Sequence, residues 1–372
     1  MSVIKNQLII VILSVFLTTL RAPGSDMGIF VGASSNPAQD PNGPSGSFFQ
    51  ITPKWERSFE KSEGHLLNVL INADLKKFND DEVAQCSDSN LFRGGFSLIN
   101  RAFQNWELEL AWGLEYLSGR IAPTDFTTRF GEPNVYLSQS LNLSATFGAK
   151  PVTFTFGSKL AWQDYTTNVF DEQNNAFQDD NSGLGLYTKW LFAISQKLNF
   201  EIGADWNEKK YSYRKVRGEY GMSQLTGENL HLMGQDYYVA WIPEVYAFKS
   251  TTVFAYGHDH DLVSGMSDVR KERFEQKFLF PLSGRQGLSL KSDLSILARQ
   301  FTFIHADLSS LEAAKNSGLR RDTVSKLSVG LVKSFWTDAE GVITLAYLSN
   351  ASNFGAEIYS DRTIETGLTA KF

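Results

Sequence analysis

The chain has 372 residues and a formal net charge of −6, with a pI near 5.5, a balance that argues against nucleic acid as a main partner. Hydrophobic residues at 42% and charged residues at 20% exclude a disordered chain. The lone cysteine, Cys86, excludes an internal disulfide and any cysteine-built zinc or iron–sulfur centre, while a mean hydropathy of −0.22 excludes a bundle of membrane-spanning helices.

Residues 1–25 read as a secretory leader. A charged head with Lys5 precedes the apolar run from Leu8 to Leu17, and small residues follow at Ala22, Gly24 and Ser25. No later stretch reaches the roughly 20 apolar residues that a spanning helix needs. Residues 26–372 then form the mature domain, in which 26–60 supply either two first strands or a plug or periplasmic segment.

The dominant period along that domain is two. From Trp106 to Tyr116 every even position is large and apolar, while every odd one is charged or small. The stretch from Leu198 to Trp206 repeats the pattern. Alternation over 9–11 residues means a strand with one apolar and one polar face, at the length a tilted strand needs to cross a bilayer. About sixteen strands are predicted (fourteen is the alternative): 27–34, 47–58, 65–76, 90–101, 105–118, 134–148, 151–164, 181–195, 197–212, 234–248, 250–262, 268–281, 286–303, 321–336, 340–350 and 361–372. Short and long connections alternate between them. This is the rhythm of an all-β, antiparallel up-and-down barrel with short periplasmic turns and long outside loops. Residues 307–318 read as a short helix within one loop, capped by serines and closed by Gly318. The acidic loops 77–89 and 164–180 have the composition to hold divalent cations loosely.

The chain ends Glu365-Thr366-Gly367-Leu368-Thr369-Ala370-Lys371-Phe372. A polar residue, a glycine two positions later, Ala370 and a terminal aromatic resemble the assembly signal of Gram-negative outer-membrane β-barrels, porins among them. The assignment of Glu365, Gly367, Ala370 and Phe372 to that signal, and of the barrel-assembly machinery as a partner, is what the resemblance implies. It also implies a place in the cell outer membrane, among its lipid and lipopolysaccharide. More loosely, Ser35-Asn36-Pro37, the stretch Phe49 to Pro53, and Asp80-Asp81 resemble barrels associated with surface-polysaccharide export, which would imply passage of a glycan.

Chemistry is sparse. His258-Asp259-His260-Asp261 is the one histidine cluster. On a strand His258 and His260 share a face, and two imidazoles so placed could bind zinc or copper with a third ligand from elsewhere; solvated rim residues are the plainer reading, so no metal is assigned. No cofactor is expected, and no Ser/His or Asp/His constellation marks an enzyme. With apolar residues toward lipid, the candidate lumen-lining residues are Glu107, Glu109, Glu115, Glu201, Asp205 and Glu244, then Arg273, Lys277, Lys291, Arg299 and Lys326. Acid gathers on early and middle strands and base on later ones, an arrangement that would set a transverse field across water. The expected function is a pore for diffusion or weakly selective passage of small polar solutes. The alternative is a structural, assembly or polymer-export partner with a plugged lumen.

Overall fold

The computed structural model describes residues 24–35, 45–62, 64–79, 88–103, 105–119, 134–165, 169–170, 176–177, 180–216, 227–245, 248–283, 287–307, 309–336, 338–354 and 358–371. Residues 1–23, most of the expected leader, and the terminal Phe372 lie outside the described residues, as does much of the two acidic loops.

Eighteen strands form among the described residues. They are β1 (Ser25–Ser34), β2 (Gly46–Ser62), β3 (His65–Phe78), β4 (Ser89–Phe103), β5 (Trp106–Gly119), β6 (Asn134–Ala149), β7 (Val152–Tyr165), β8 (Val169–Phe170) and β9 (Ala176–Phe177). The second half comprises β10 (Asn181–Ser195), β11 (Leu198–Lys215), β12 (Asn229–Val245), β13 (Phe248–Asp261), β14 (Val269–Ser283), β15 (Leu288–His305), β16 (Leu319–Trp336), β17 (Ala339–Ser352) and β18 (Tyr359–Lys371). Sixteen of them close into one antiparallel barrel, each paired with its sequence neighbour, while β8 and β9 form a separate two-stranded hairpin within the loop after β7.

Closure joins the two ends of the chain. β1 pairs on one side with β2 and on the other with β18, in a register running from Asp26↔Lys371 to Ser34↔Thr363. A closed barrel leaves no strand edge with unpaired backbone groups, which is the condition for a sheet to survive in hydrocarbon. The connections at 63–64, 104–105, 150–151, 196–197, 246–247, 284–287 and 337–338 lie at one end of the barrel, and every longer one lies at the other. Asn105 takes φ 65° in its turn, a left-handed conformation that asparagine tolerates better than most residues.

Period-two alternation becomes two faces. Leu98, Leu110 and Leu143 lie side by side on β4, β5 and β6, and all are exposed, as are Ile194, Phe254, Leu345 and Leu368. Aromatic rings continue this apolar face toward the short-turn end. Trp106, Phe147, Phe154 and Trp190 form a chain of contacts, with centroids 5.0, 4.8 and 4.4 Å apart. The other face is concave. Lys76 on β3 lies within electrostatic reach of Glu365 and Asp361 on β18, with β1 and β2 between them. Glycine lets rings lie flat against that inner wall. A side chain at Gly203 would collide with the Tyr238 ring, and one at Gly367 with the Phe30 ring, an aromatic-over-glycine packing that pins strand register.

Several boundaries depart from the sequence reading: β2 runs on to Ser62 rather than ending at 58, β11 runs on to Lys215 rather than ending at 212, and β12 shifts at both ends. β12 begins at Asn229 and ends at Val245 rather than spanning 234–248, because its first residues pair with β11 (His231 with Lys210, Leu232 with Lys209) and the turn falls at 246–247. The β8–β9 hairpin went unforeseen because each strand has only two residues, too few to carry a period. The loop helix does form, as α1 (Leu311–Asn316), with the Ser310 hydroxyl accepting from the Ala313 N–H.

Candidate functional site

The concave face is a lattice of short ionic and hydroxyl contacts. On β4 and β5, Glu115 binds the Arg93 guanidinium and accepts from the Tyr136 hydroxyl at 2.6 Å, and Glu107 pairs with Arg101 at 2.6 Å. Glu109 stands between Ile99 and Ser144 in register. On β11, Glu201 accepts from the Tyr238 hydroxyl at 2.9 Å and lies 3.6 Å from the Lys189 ammonium, while Asp205 is flanked by Tyr187 and Asp236. Glu244 pairs through its backbone with Lys249.

Later strands repeat the device. Arg273 lies 3.5 Å from Glu275, and Lys291 lies 3.7 Å from Asp293, which also stands opposite Lys277. Arg299 lies between Lys271 and Asp322 in register, and Lys326 between Ser295 and Leu348. At the chain end, Glu365 and Gly367 fall on the concave face opposite Gly32 and Phe30, and Ala370 falls on the other face with Leu368 and Ile364.

Sequence reading missed the counterions. Arg93, Lys189 and Lys271 sit on the same face as the acids, and Lys271 bridges Asp259 at 2.8 Å and Asp236 at 3.4 Å. Base therefore interleaves with acid on early and middle strands, and the division into separate acidic and basic arcs is blurred. The parity that identified Glu107 and Glu201 was available for Lys159 and Lys189, each at a polar position of an alternating strand.

One stretch of wall opens into a recess of about 500 Å³. Gly95, Gly113, Ser138, Ser140 and Ala161 floor it, and Glu56, Arg93, Glu115 and Lys159 contribute charge around it. Small floor residues on adjacent strands leave room that bulky neighbours would fill. Both signs of charge beside serine hydroxyls suit a polar, hydroxyl-bearing or zwitterionic solute.

A second feature lies at the long-loop end of the same face. Phe48 and Phe78 pack at 5.5 Å, Phe301 is 1% exposed, and Leu117 and Tyr211 are buried on other strands. Beside Phe301, Arg320 donates twice to the Asp322 carboxylate, at 3.1 and 2.9 Å, and Asp322 also accepts from Ser352. Arg320 lies 5.0 Å from the rings of both Phe301 and Phe354. These side chains are shielded by their neighbours, in contrast to the exposed Arg93 beside the recess. Nothing in the strand alternation foretold it.

A closed barrel wearing an outer apolar belt is built to sit in a bilayer, and an even-numbered up-and-down barrel with short turns at one end is the outer-membrane architecture. No family model and no curated protein matches the sequence. Similar solved structures include an anion-selective porin from Comamonas acidovorans, with 13% identity over 94% of this chain and 100% of that one at a TM-score of 0.45. OccAB3 from Acinetobacter baumannii shares 8% identity over 94% and 98% of the chains at 0.48. A bacterial polysaccharide outer membrane secretin shares 9% over 94% and 98% at 0.44. At these identities the likeness is one of fold alone.

Proposed function

We propose that the protein is an outer-membrane pore that passes small polar solutes through a water-filled, charged lumen. The observation that carries this reading is the concave face itself. Many of its acids and bases lie within 4 Å of an opposite charge yet keep substantial exposure, with Arg93 51% and Glu115 29% exposed. Ion pairs of that kind sit comfortably in water and gain little from burial. The interior thus reads as a solvated wall rather than a dry core. The recess beside Arg93 and Lys159 supplies a resting place for a solute on its way through, and the packed residues at the long-loop end limit its size.

The test is planar-bilayer conductance of the purified barrel. Stepwise open currents are expected, with a reversal potential that shifts toward cations when Lys159 is changed to Glu. A folded barrel that passes no steady current would refute the pore.

A plugged barrel acting in assembly or polymer export is the second reading, favoured by the covered Phe48, Phe301 and Arg320 at the long-loop end. In that case conductance would appear only after Phe48 and Phe301 were both cut back to Ala.

A further inference from the structure

The structure brings a third ligand to the one histidine pair. His258 and His260 lie on β13, on the same outer face as the exposed Phe254 and Tyr256 but nearer the long-loop end. The connection 262–267 then returns the chain so that Asp268, just before β14, arrives beside them. Asp268 Oδ2 is 3.6 Å from His260 Nδ1 and 3.9 Å from His258 Nε2, and the three ligand atoms all lie within 4.8 Å of one another. The two imidazole rings are 3.7 Å apart, centroid to centroid.

Two further observations mark this as a prepared arrangement. His258 Nε2 is buried and has no hydrogen-bond partner, a costly state for a ring nitrogen unless something else uses its lone pair. The carboxylate is also aimed. Asp268 Oδ1 accepts the Asp261 N–H at 2.7 Å, which leaves Oδ2 toward the imidazoles. Asp261 in turn accepts from the Val263 and Ser264 N–H groups and from the Ser264 hydroxyl at 2.6 Å. An outer layer of hydrogen bonds that orients a ligating carboxylate is the usual support of a metal site.

We propose that His258, His260 and Asp268 bind a divalent transition metal of the zinc class on the outer rim of the barrel. Tetrahedral zinc with ligands at about 2.0–2.2 Å places neighbouring donor atoms roughly 3.3–3.6 Å apart, so the observed separations close by small side-chain rotations. Two neutral imidazoles and one carboxylate suit zinc, cobalt(II) or copper(II) better than calcium or magnesium, which prefer oxygen. Arg270, opposite His258 across the strand pair, adds a nearby positive charge that moderates the affinity. Three protein ligands leave a fourth position for water or an external donor. Because the ligands come from both ends of the 262–267 connection, the metal would also tie that loop down.

Cobalt(II) titration of the untagged, refolded barrel in detergent tests this, read by visible absorption and displaced by zinc. The expected result is one cobalt per chain with the intense bands of tetrahedral coordination. Binding should weaken by at least about tenfold in His260→Gln and in Asp268→Asn, and should not change in His65→Gln, at the opposite end of the barrel. Unheated gel migration identifies which variants fold, and His260→Gln carries the test if Asp268→Asn does not. Weak binding without tetrahedral bands, or equal binding by wild type and the folded variants, would overturn the proposal.

Discussion

Placing arginine at Leu110 tests the assignment of faces most directly. Leu110 lies on β5 between Leu98 and Leu143, all three exposed on the apolar face. Trp106 and Tyr116 mark the aromatic levels on the same strand. At about 3.3 Å per residue and a tilt near 40°, the stretch from 106 to 116 rises roughly 25 Å, which is the height of the hydrocarbon band. Residue 110 then lies roughly 2–3 Å from the midplane by the same geometry. Arginine there costs about 2–4 kcal/mol, a factor of roughly 30–700 in the folding equilibrium at 1.4 kcal/mol per decade. Leu110→Arg should therefore shift the urea midpoint of the barrel in lipid vesicles strongly downward. Glu109→Arg, one residue away on the concave face, should change stability by less than about 0.5 kcal/mol while moving ion selectivity toward anions. Normal insertion of Leu110→Arg together with failure of Glu109→Arg would invert the faces and remove the basis for a charged lumen.

Three other outcomes are expected. Asp322→Ala strands the buried Arg320 guanidinium, so equilibrium unfolding should lose about 3–5 kcal/mol; a loss under 1 kcal/mol would mean that the pair is wetter than its burial indicates. Arg93→Gln should shift the reversal potential toward cations and weaken block by a hydroxyl-rich anionic solute in single-channel recordings, and an unchanged current would discard the recess as a solute site. Deleting Phe372 should lower the folded fraction seen as heat-modifiable migration in outer-membrane fractions, whereas wild-type levels would show that the terminal signal lies elsewhere.

The barrel was legible because its rule is simple. Period-two alternation from Trp106 to Tyr116, or from Leu198 to Trp206, states both the strand and its two faces, and the alternation of short and long connections states the topology. Counting sixteen strands succeeded even where Gly28, Gly32 and Pro53 dilute the pattern, since pairing with β18 and β3 compensates for weak local propensity. The site was only half legible. Parity assigned Glu107, Glu115 and Glu201 to one face, but a charge's partner depends on register, and no single strand carries the register of its neighbours. Arg93 opposite Glu115 is such a case. Asp268 is a sharper one, because a loop delivers it to His258 and His260 and no periodicity runs through that loop. The burial of Phe301 and Arg320 was invisible for the same reason.

The seam between β1 and β18 has a kinetic consequence. Asp26 pairs with Lys371, so the closing contacts span nearly the whole sequence. Each hairpin can form locally, whereas the seam has the greatest sequence separation of any pairing in the barrel and, from an unstructured chain, the largest loop-closure entropy. Until the seam closes, β1 and β18 are open amphipathic edges, able to pair with any other strand they meet. An unclosed barrel is thus exposed to aggregation at these edges, and the short, glycine-diluted β1 makes one of the two a poor template for strangers.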